Sequence, residues 1–252
     1  MTNIPKNIHY FWFGCNEIPI HLQKCIETWQ RIMPDYEITR WDESNFDFAQ
    51  NKYAKEAYEK KRWAFVSDYA RLAILKDRGG IYLDTDVELL QSLDKFLHHS
   101  AFAGFESDYS LGTAIIGAEP DNPWISKLLA EYDERVFLKG PFKKMDLSPN
   151  SRQFTSISKN GSRLTLDNSF QELERVTIYP SDYFYPKDPA TRVIWKTENT
   201  TAIHHSTGSS TGLKYRLKHS AFDLAKKLLP PNITEKTLTL YGNIRQYYAN
   251  KK

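Results

Sequence analysis

The sequence predicts an α/β layer fold built on a parallel sheet. Three observations predict it. Strand-like and helix-like segments alternate through the first half of the chain. One helical segment is apolar around most of its circumference, as a buried layer helix is. A glycine pair then hands that helix directly to a short apolar strand. The 252 residues include 6 Trp, 15 Tyr and 14 Phe, enough large rings to bury a sizeable core and to exclude a disordered chain. With 11 Gly and 12 Pro, collagen-like and low-complexity readings fail. A formal net charge of +3 does not argue for nucleic acid.

Ile8 to Phe13 is an aromatic and β-branched run ending at Gly14, which suits a buried strand. Ile18 to Met33 carries Leu22, Ile26, Trp29 and Met33 at helical spacing and stops before Pro34. Tyr36 to Trp41 is a second strand. Tyr53 to Lys76 is expected to be mostly helical, with Gly79 and Gly80 as its stop, and Ile81 to Leu83 is a third strand. Phe102 to Phe105 and Thr113 to Gly117 follow as strands. Pro123 to Phe137 reads as a helix with proline in its first turn. Gly140 to Gly161 is polar and interrupted by Pro141 and Pro149, and is expected to be loop-rich. Val176 to Tyr179 and Ala202 to His205 are strand-like. Leu213 to Lys252 reads as two helices split by Pro230 and Pro231. No linker separates two domains. The chain is expected to be one domain over residues 1–252, with a core at 1–120, closing segments at 121–212 and a basic helical tail at 213–252.

Cys15 and Cys25 form neither a zinc site nor a disulfide framework, and fit ordinary thiols in a reducing compartment. The N-terminal residues lack the layout of a signal peptide, and no apolar stretch approaches the length of a membrane span. The expectation is a cytoplasmic protein that meets a membrane only at its surface.

Two features carry chemistry. On the helix from Trp63, the residues Ala64, Ser67, Asp68, Arg71 and Leu75 share one face. Asp68 and Arg71 lie three apart, within reach of each other on an otherwise apolar helix. Buried charges must be paired. Such a pair either locks the helix to a neighbour or lines a pocket for a hydroxyl-rich ligand. The second feature is Asp84-Thr85-Asp86 after the strand Ile81 to Leu83. Residues two apart in extended chain face the same side, so both carboxylates converge on one region. Like charges that close repel unless a cation or a donor satisfies them. Mn²⁺ or Mg²⁺ suits such oxygens together with a bound diphosphate. In α/β sheets, ligands bind beyond the carboxyl ends of the strands.

The block from Trp63 to Asp86 resembles the sugar-binding region of family 32 glycosyltransferases and the glucosyltransferase domain of clostridial toxins. The family's Ser-Asp-x-x-Arg matches Ser67, Asp68 and Arg71. Its Gly-Gly-x-Tyr-x-Asp-x-Asp matches Gly79, Gly80, Tyr82, Asp84 and Asp86. The opening run Ile4 to Gly14 is also similar to the family's first strand. The resemblance implies a GT-A fold, a Rossmann-like and mostly parallel sheet, with a metal-dependent nucleotide-sugar site. It implies that Phe11, Trp12, Ser67, Asp68, Arg71, Tyr82, Asp84, Thr85 and Ser209 contact the nucleotide sugar. Asp68, Arg71, Asp84 and Asp86 would be the catalytic set, and Asp84, Asp86 and His205 the metal ligands. The implied reaction transfers a hexose with retention, from a nucleotide diphosphate sugar, UDP-hexose by similarity to bacterial and toxin relatives, to a glycan of surface or capsular polysaccharide.

Ala202 to Ser210 resembles the family segment His-His-x-x-Gly-Ser-Trp, with Ser210 where the family carries Trp. Strand alternation sends one of His204 and His205 inward and leaves open which; His205 is taken as the ligand. Residues 213–229 form a basic amphipathic stretch that suits either a packed terminal helix or an anionic membrane surface, where a lipid-linked acceptor would reside. Two other classes compete. One is a non-catalytic nucleotide-sugar-binding subunit; the other is a phosphohydrolase with an Asp-x-Asp pair after a strand.

Overall fold

A computed structural model describes residues 3–188 and 191–207. The tail helices expected over 213–252, the basic stretch 213–229, Ser209 and Ser210 all lie outside the described residues. Residues up to Pro186, together with Lys196–His205, form one compact unit; Lys187–Trp195 belongs to a second.

The first elements follow the expected order. They are β1 (Asn7–Phe11), α1 (Ile20–Ile32), β2 (Glu37–Trp41), α2 (Lys52–Glu59), α3 (Trp63–Arg78) and β3 (Gly80–Leu83). α1 forms because Leu22, Cys25, Ile26 and Trp29 fall on one buried face. The single helix expected over Tyr53 to Lys76 is two. Lys60, Lys61 and Arg62 offer nothing to bury, and Lys61 takes a left-handed φ of 55° between them. The side chain of Asn51 caps α2 by accepting from the Ala54 N–H.

Next come β4 (Val87–Leu89), β5 (Ala101–Ser107), β6 (Ser110–Leu111), β7 (Ile115–Ala118) and α4 (Pro123–Ala130). α4 is capped by Asn122 and ends earlier than its sequence suggests. The Gly140 to Gly161 stretch is a correction. A hairpin, β8 (Leu138–Lys139) and β9 (Lys144–Met145), brackets its start, and a 13-residue helix, α5 (Asn150–Ser162), fills its second half. α5 carries little apolar periodicity because part of its buried face is polar: Ser158 accepts from the Trp124 indole at 2.8 Å. The last elements are β10 (Gln171–Glu172), β11 (Thr177–Tyr179), α6 (Ser181–Phe184) and β12 (Ala202–His204).

The main sheet runs β10-β11-β5-β7-β3-β1-β2, with β6 paired to β5. β1 is parallel to both β2 and β3. β7 runs antiparallel between β3 and β5, which restores β5 and its parallel neighbour β11 to the direction of β1. The sheet is therefore mixed, with β7 and β10 opposed to the other strands of its main order. Alternation splits the core into two layers. Phe11 and Tyr82 face the layer under α2 to α5, with Val66, Ala70, Phe105 and Trp124. Ile8, Tyr10, Ile81 and Leu83 face the other, with Trp29, Phe96 and Phe184.

Gly80 is required where it stands. Its φ is +93°, and a Cβ there would lie 2.7 Å from the carbonyl oxygen of Asn7. Beside it, His9 is 2% exposed. Its Nδ1 accepts from the Trp41 indole at 3.3 Å, and its Nε2 donates to the Gly79 carbonyl at 3.0 Å. Both contacts suit a neutral ring. Burial lowers the His9 pKa from 6.5 to about 4. Between these values the unfolded chain takes a proton that the folded chain refuses. Stability is thus complete above pH 6.5 and falls by about 3 kcal/mol as pH drops to 4. A His9→Gln variant is expected to show a flatter loss of thermal stability over that range than the wild type. Parallel profiles would contradict this assignment.

Candidate active site

β1 and β3 are parallel and pair His9 with Tyr82, so their carboxyl ends open on one edge of the sheet. Asp84 follows β3 directly, and its N–H donates to the Ala114 carbonyl at 2.9 Å. A tight turn then returns the chain through Asp86 to β4. β12 pairs antiparallel with β4 and sets His204 opposite Val87. The His204 Nε2 lies 3.2 Å from Asp86 Oδ1 and 3.8 Å from Asp84 Oδ2. One ligand atom from each of Asp84, Asp86 and His204 falls within 4.8 Å of the others. Two carboxylate oxygens and an imidazole nitrogen are a donor set that fits Mn²⁺ or Mg²⁺.

Burial lowers the His204 pKa, but Asp86, Asp84 and Glu106 outweigh it and hold the group above its ordinary value. His205 is placed elsewhere. Its Nε2 lies 2.9 Å from Glu88 Oε2. The choice of His205 over His204 is corrected accordingly: alternation beyond β12 turns His204 toward the aspartates and His205 away.

Behind this cluster lies Arg71, 4% exposed. Its Nη2 donates to Asp68 Oδ1 at 2.9 Å, its Nη1 to the Thr113 carbonyl at 2.6 Å, and its Nε to the Ser67 carbonyl at 3.1 Å. Asp84 Oδ1 is 3.5 Å from Nη1. The guanidinium lies 4.5 Å over the Tyr82 ring. Burial would lower the Arg71 pKa, yet Tyr82, Asp84 and Asp68 raise it. Arg71 is therefore a buried cation that joins the two acidic motifs. Asp68 is half-buried beside it. Burial raises its carboxyl pKa, and Arg71 and Asn150 oppose that shift.

Other sequence-predicted contacts fall in several environments. Trp12 is half-buried just after β1, with its indole donating to the Asn16 carbonyl. Thr85 is half-buried between the two aspartates. Ser67 bonds to the Trp63 carbonyl. Phe11 is a core residue, 6% exposed, packed against Phe13, Trp41, Phe46 and Tyr82. Tyr82 is 2% exposed, and its hydroxyl donates to Asp84 Oδ1. Phe11 and Tyr82 are thus buried beneath the carboxyl ends of β1 and β3, in the layer under α2 to α5.

Three residues that the sequence reading did not single out stand beside the site. Glu106, at the carboxyl end of β5, accepts from the Ser110 hydroxyl at 3.0 Å, and burial raises its pKa. Tyr185 receives the N–H groups of Ala114 and Ile115 and packs edge-on against His204. Asn150, at the start of α5, faces Asp68. Glu106 follows a predicted strand, so the strand-end rule that exposed Asp84 was available for it too.

The sequence pattern described as "glycosyltransferase sugar-binding region containing DXD motif" matches residues 19–103. An uncharacterized glycosyltransferase, L373 of Acanthamoeba polyphaga mimivirus, is 34% identical over 201 residues, which cover 73% of each chain. Inositol phosphoceramide mannosyltransferase 3 of Schizosaccharomyces pombe is 33% identical over 142 residues; the match covers 53% of this chain and only 38% of the yeast protein. Among solved structures, the galactosyltransferase LgtC in complex with donor and acceptor sugar analogues aligns with a TM-score of 0.46 at 13% identity. That alignment covers 90% of this chain and 98% of LgtC.

Proposed function

The chain belongs to the glycosyltransferases that carry a DXD sugar-binding region, and from that premise we propose that it transfers a hexose, with retention, from a nucleotide diphosphate sugar to a hydroxyl of a glycan acceptor. The observation that carries this reading is the convergence of Asp84, Asp86 and His204 beside the buried Asp68–Arg71 pair at one edge of the sheet. UDP-hexose is the proposed donor. Residues 1–120 would hold it and 121–212 would approach the acceptor.

In this reading Asp84, Asp86 and His204 would hold the cation. A bound Mn²⁺ or Mg²⁺ supplies Lewis-acid stabilisation of the departing diphosphate. Asp68 accepts hydrogen bonds from the sugar hydroxyls. Arg71 fixes the orientation of both Asp68 and Asp84, so the donor is held in one geometry. Trp12 flanks the base at the strand end. The leaving phosphate oxygen takes the acceptor's proton, so no separate general base is assigned. The name of the yeast relative, an inositol phosphoceramide mannosyltransferase, supports an acceptor carried on a lipid. Surface polysaccharide synthesis at the inner face of a membrane, with residues 213–229 as one point of contact, is part of the same proposal. Among the described residues no helix is long and apolar enough to cross a membrane.

The test is a screen of nucleotide sugars with and without Mn²⁺. Metal-dependent release of the nucleoside diphosphate is the expected result. Release of inorganic phosphate would replace the reading with a phosphohydrolase, and no turnover of any donor would replace it with a binding subunit. In the same assay, His204→Ala should raise the Mn²⁺ concentration for half-maximal rate by about tenfold or more, whereas His205→Ala, which removes an imidazole paired with Glu88, should raise it by less. Equal shifts would remove His204 from the ligand set.

A further inference from the structure

The β8–β9 hairpin stands apart from the donor site and has no part in the reaction above. Its ladder is two residues long, pairing Leu138 with Met145 and Lys139 with Lys144. The turn is closed by the Lys143 N–H donating to the Gly140 carbonyl at 3.2 Å. Phe142 at its tip is 92% exposed, the largest exposure of any large apolar side chain among the described residues. A Cβ added at Gly140 would meet nothing within 4 Å, so the tip is clear of the rest of the fold. Residues 138–145 carry Lys139, Lys143 and Lys144 and no acidic residue. All three lysines are exposed. Lys139 and Lys144 face each other across the ladder, an arrangement of like charges that costs stability in a sheet.

The base of the hairpin is fixed. Phe137 is fully buried and packs edge-on against Tyr53. The Leu138 N–H donates to Glu56 at 2.9 Å. Asp146 is bound by both Lys139 at 2.9 Å and Arg135 at 3.1 Å; despite the opposing effect of burial, these partners and Ser148 pull its pKa down to about 2. Arg135 in turn lies over the rings of Tyr53 and Tyr132, and both rings feel the charge of Asp68.

A lone exposed ring is ordinary on a protein surface. A ring at the apex of a clear turn, ringed by lysines and mounted on a rigid base, is not. We propose that this hairpin docks on an anionic lipid bilayer, with Phe142 entering the interface and Lys143 and Lys144 meeting the headgroups. Charge complementarity selects an anionic surface. The small area selects a bilayer over a protein partner: two two-residue strands and a turn cannot supply the ~800 Å² that each side of a stable protein interface provides, whereas one aromatic side chain and a few cations give measurable membrane partitioning. The docking stands on the hairpin alone and does not rest on the transfer reading.

The experiment uses the full chain and co-sedimentation with phosphatidylcholine vesicles, with and without phosphatidylserine. Wild type should pellet with the anionic vesicles only. Phe142→Ser, and separately the double variant Lys143→Glu with Lys144→Glu, should each weaken that partitioning by about tenfold. Both variants should leave metal-dependent donor hydrolysis unchanged, which separates loss of docking from loss of the site or of the fold. A Phe142→Trp variant should gain quenching by brominated lipid over the wild-type baseline. Unchanged partitioning of the variants, or no added quenching at position 142, would overturn the proposal and leave vesicle binding to another part of the chain.

Discussion

Asp86→Ala is expected to lower the transfer rate by about a thousandfold or more, the loss of roughly 4 kcal/mol of transition-state stabilisation. Asp86 is 8% exposed and lies 3.2 Å from His204. Asp84 cannot take over its role, because Oδ1 of Asp84 already serves Tyr82 and Arg71. Stability should fall little. The variant removes one of two crowded carboxylates, and their mutual repulsion is relieved along with the lost contact to His204. The decisive pair of measurements is donor hydrolysis against Mn²⁺ concentration and thermal unfolding without metal. An Asp86→Ala protein that is folded and still active at low Mn²⁺ would end the metal assignment.

Arg71→Met has the opposite profile, with the larger cost falling on the fold. Removing a buried guanidinium leaves Asp68 and Asp84 facing each other without their cation, and it orphans the carbonyls of Thr113 and Ser67. Breaking a buried pair in this way typically costs 3–5 kcal/mol. For a chain of this size the melting temperature should drop by about 10 °C. Arg71→Lys should recover only part of that loss, because an ammonium cannot fork to a carboxylate and two carbonyls at once. Asp68→Asn in the Arg71→Met background should restore some stability by removing one stranded charge, a coupling that a double-mutant cycle reads directly. An Arg71→Met protein as stable as wild type would show that the cation is dispensable to the fold.

How far the sequence reached depends on where the signal sits. Asp68, Arg71, Asp84 and Asp86 were legible because each belongs to a local pattern: a charged pair on an apolar helix, and a carboxylate pair after a strand. The choice between His204 and His205 was not legible. It depends on the register of β12 against β4, a pairing between segments more than a hundred residues apart that no local period encodes. α5 was missed for a related reason. Its inner face works partly through polar groups, such as Ser158 receiving the Trp124 indole and Thr155 receiving the Leu111 N–H, so its periodicity is not hydrophobic. The antiparallel β7 interrupts what reads as a parallel sheet, because a buried strand such as Ile115–Ala118 is apolar in either direction. Phe11 and Tyr82, expected by resemblance at the nucleotide sugar, are core residues in the structure, since a motif records which residues matter and not which side of the sheet they occupy.

The two-stranded β12–β4 sheet also sets the order in which the chain is assembled. Glu88 and His205, which meet beside it, are 117 residues apart, so this closure carries one of the longest loop entropies in the described fold and is expected to come late. Until it forms, Asp84 and Asp86 stand without their imidazole. A divalent cation held by all three residues would then act as a clasp across the last seam to close, slowing local opening of residues 202–205. Amide hydrogen exchange in β12 should accordingly slow when Mn²⁺ is added, while exchange in β1 stays the same.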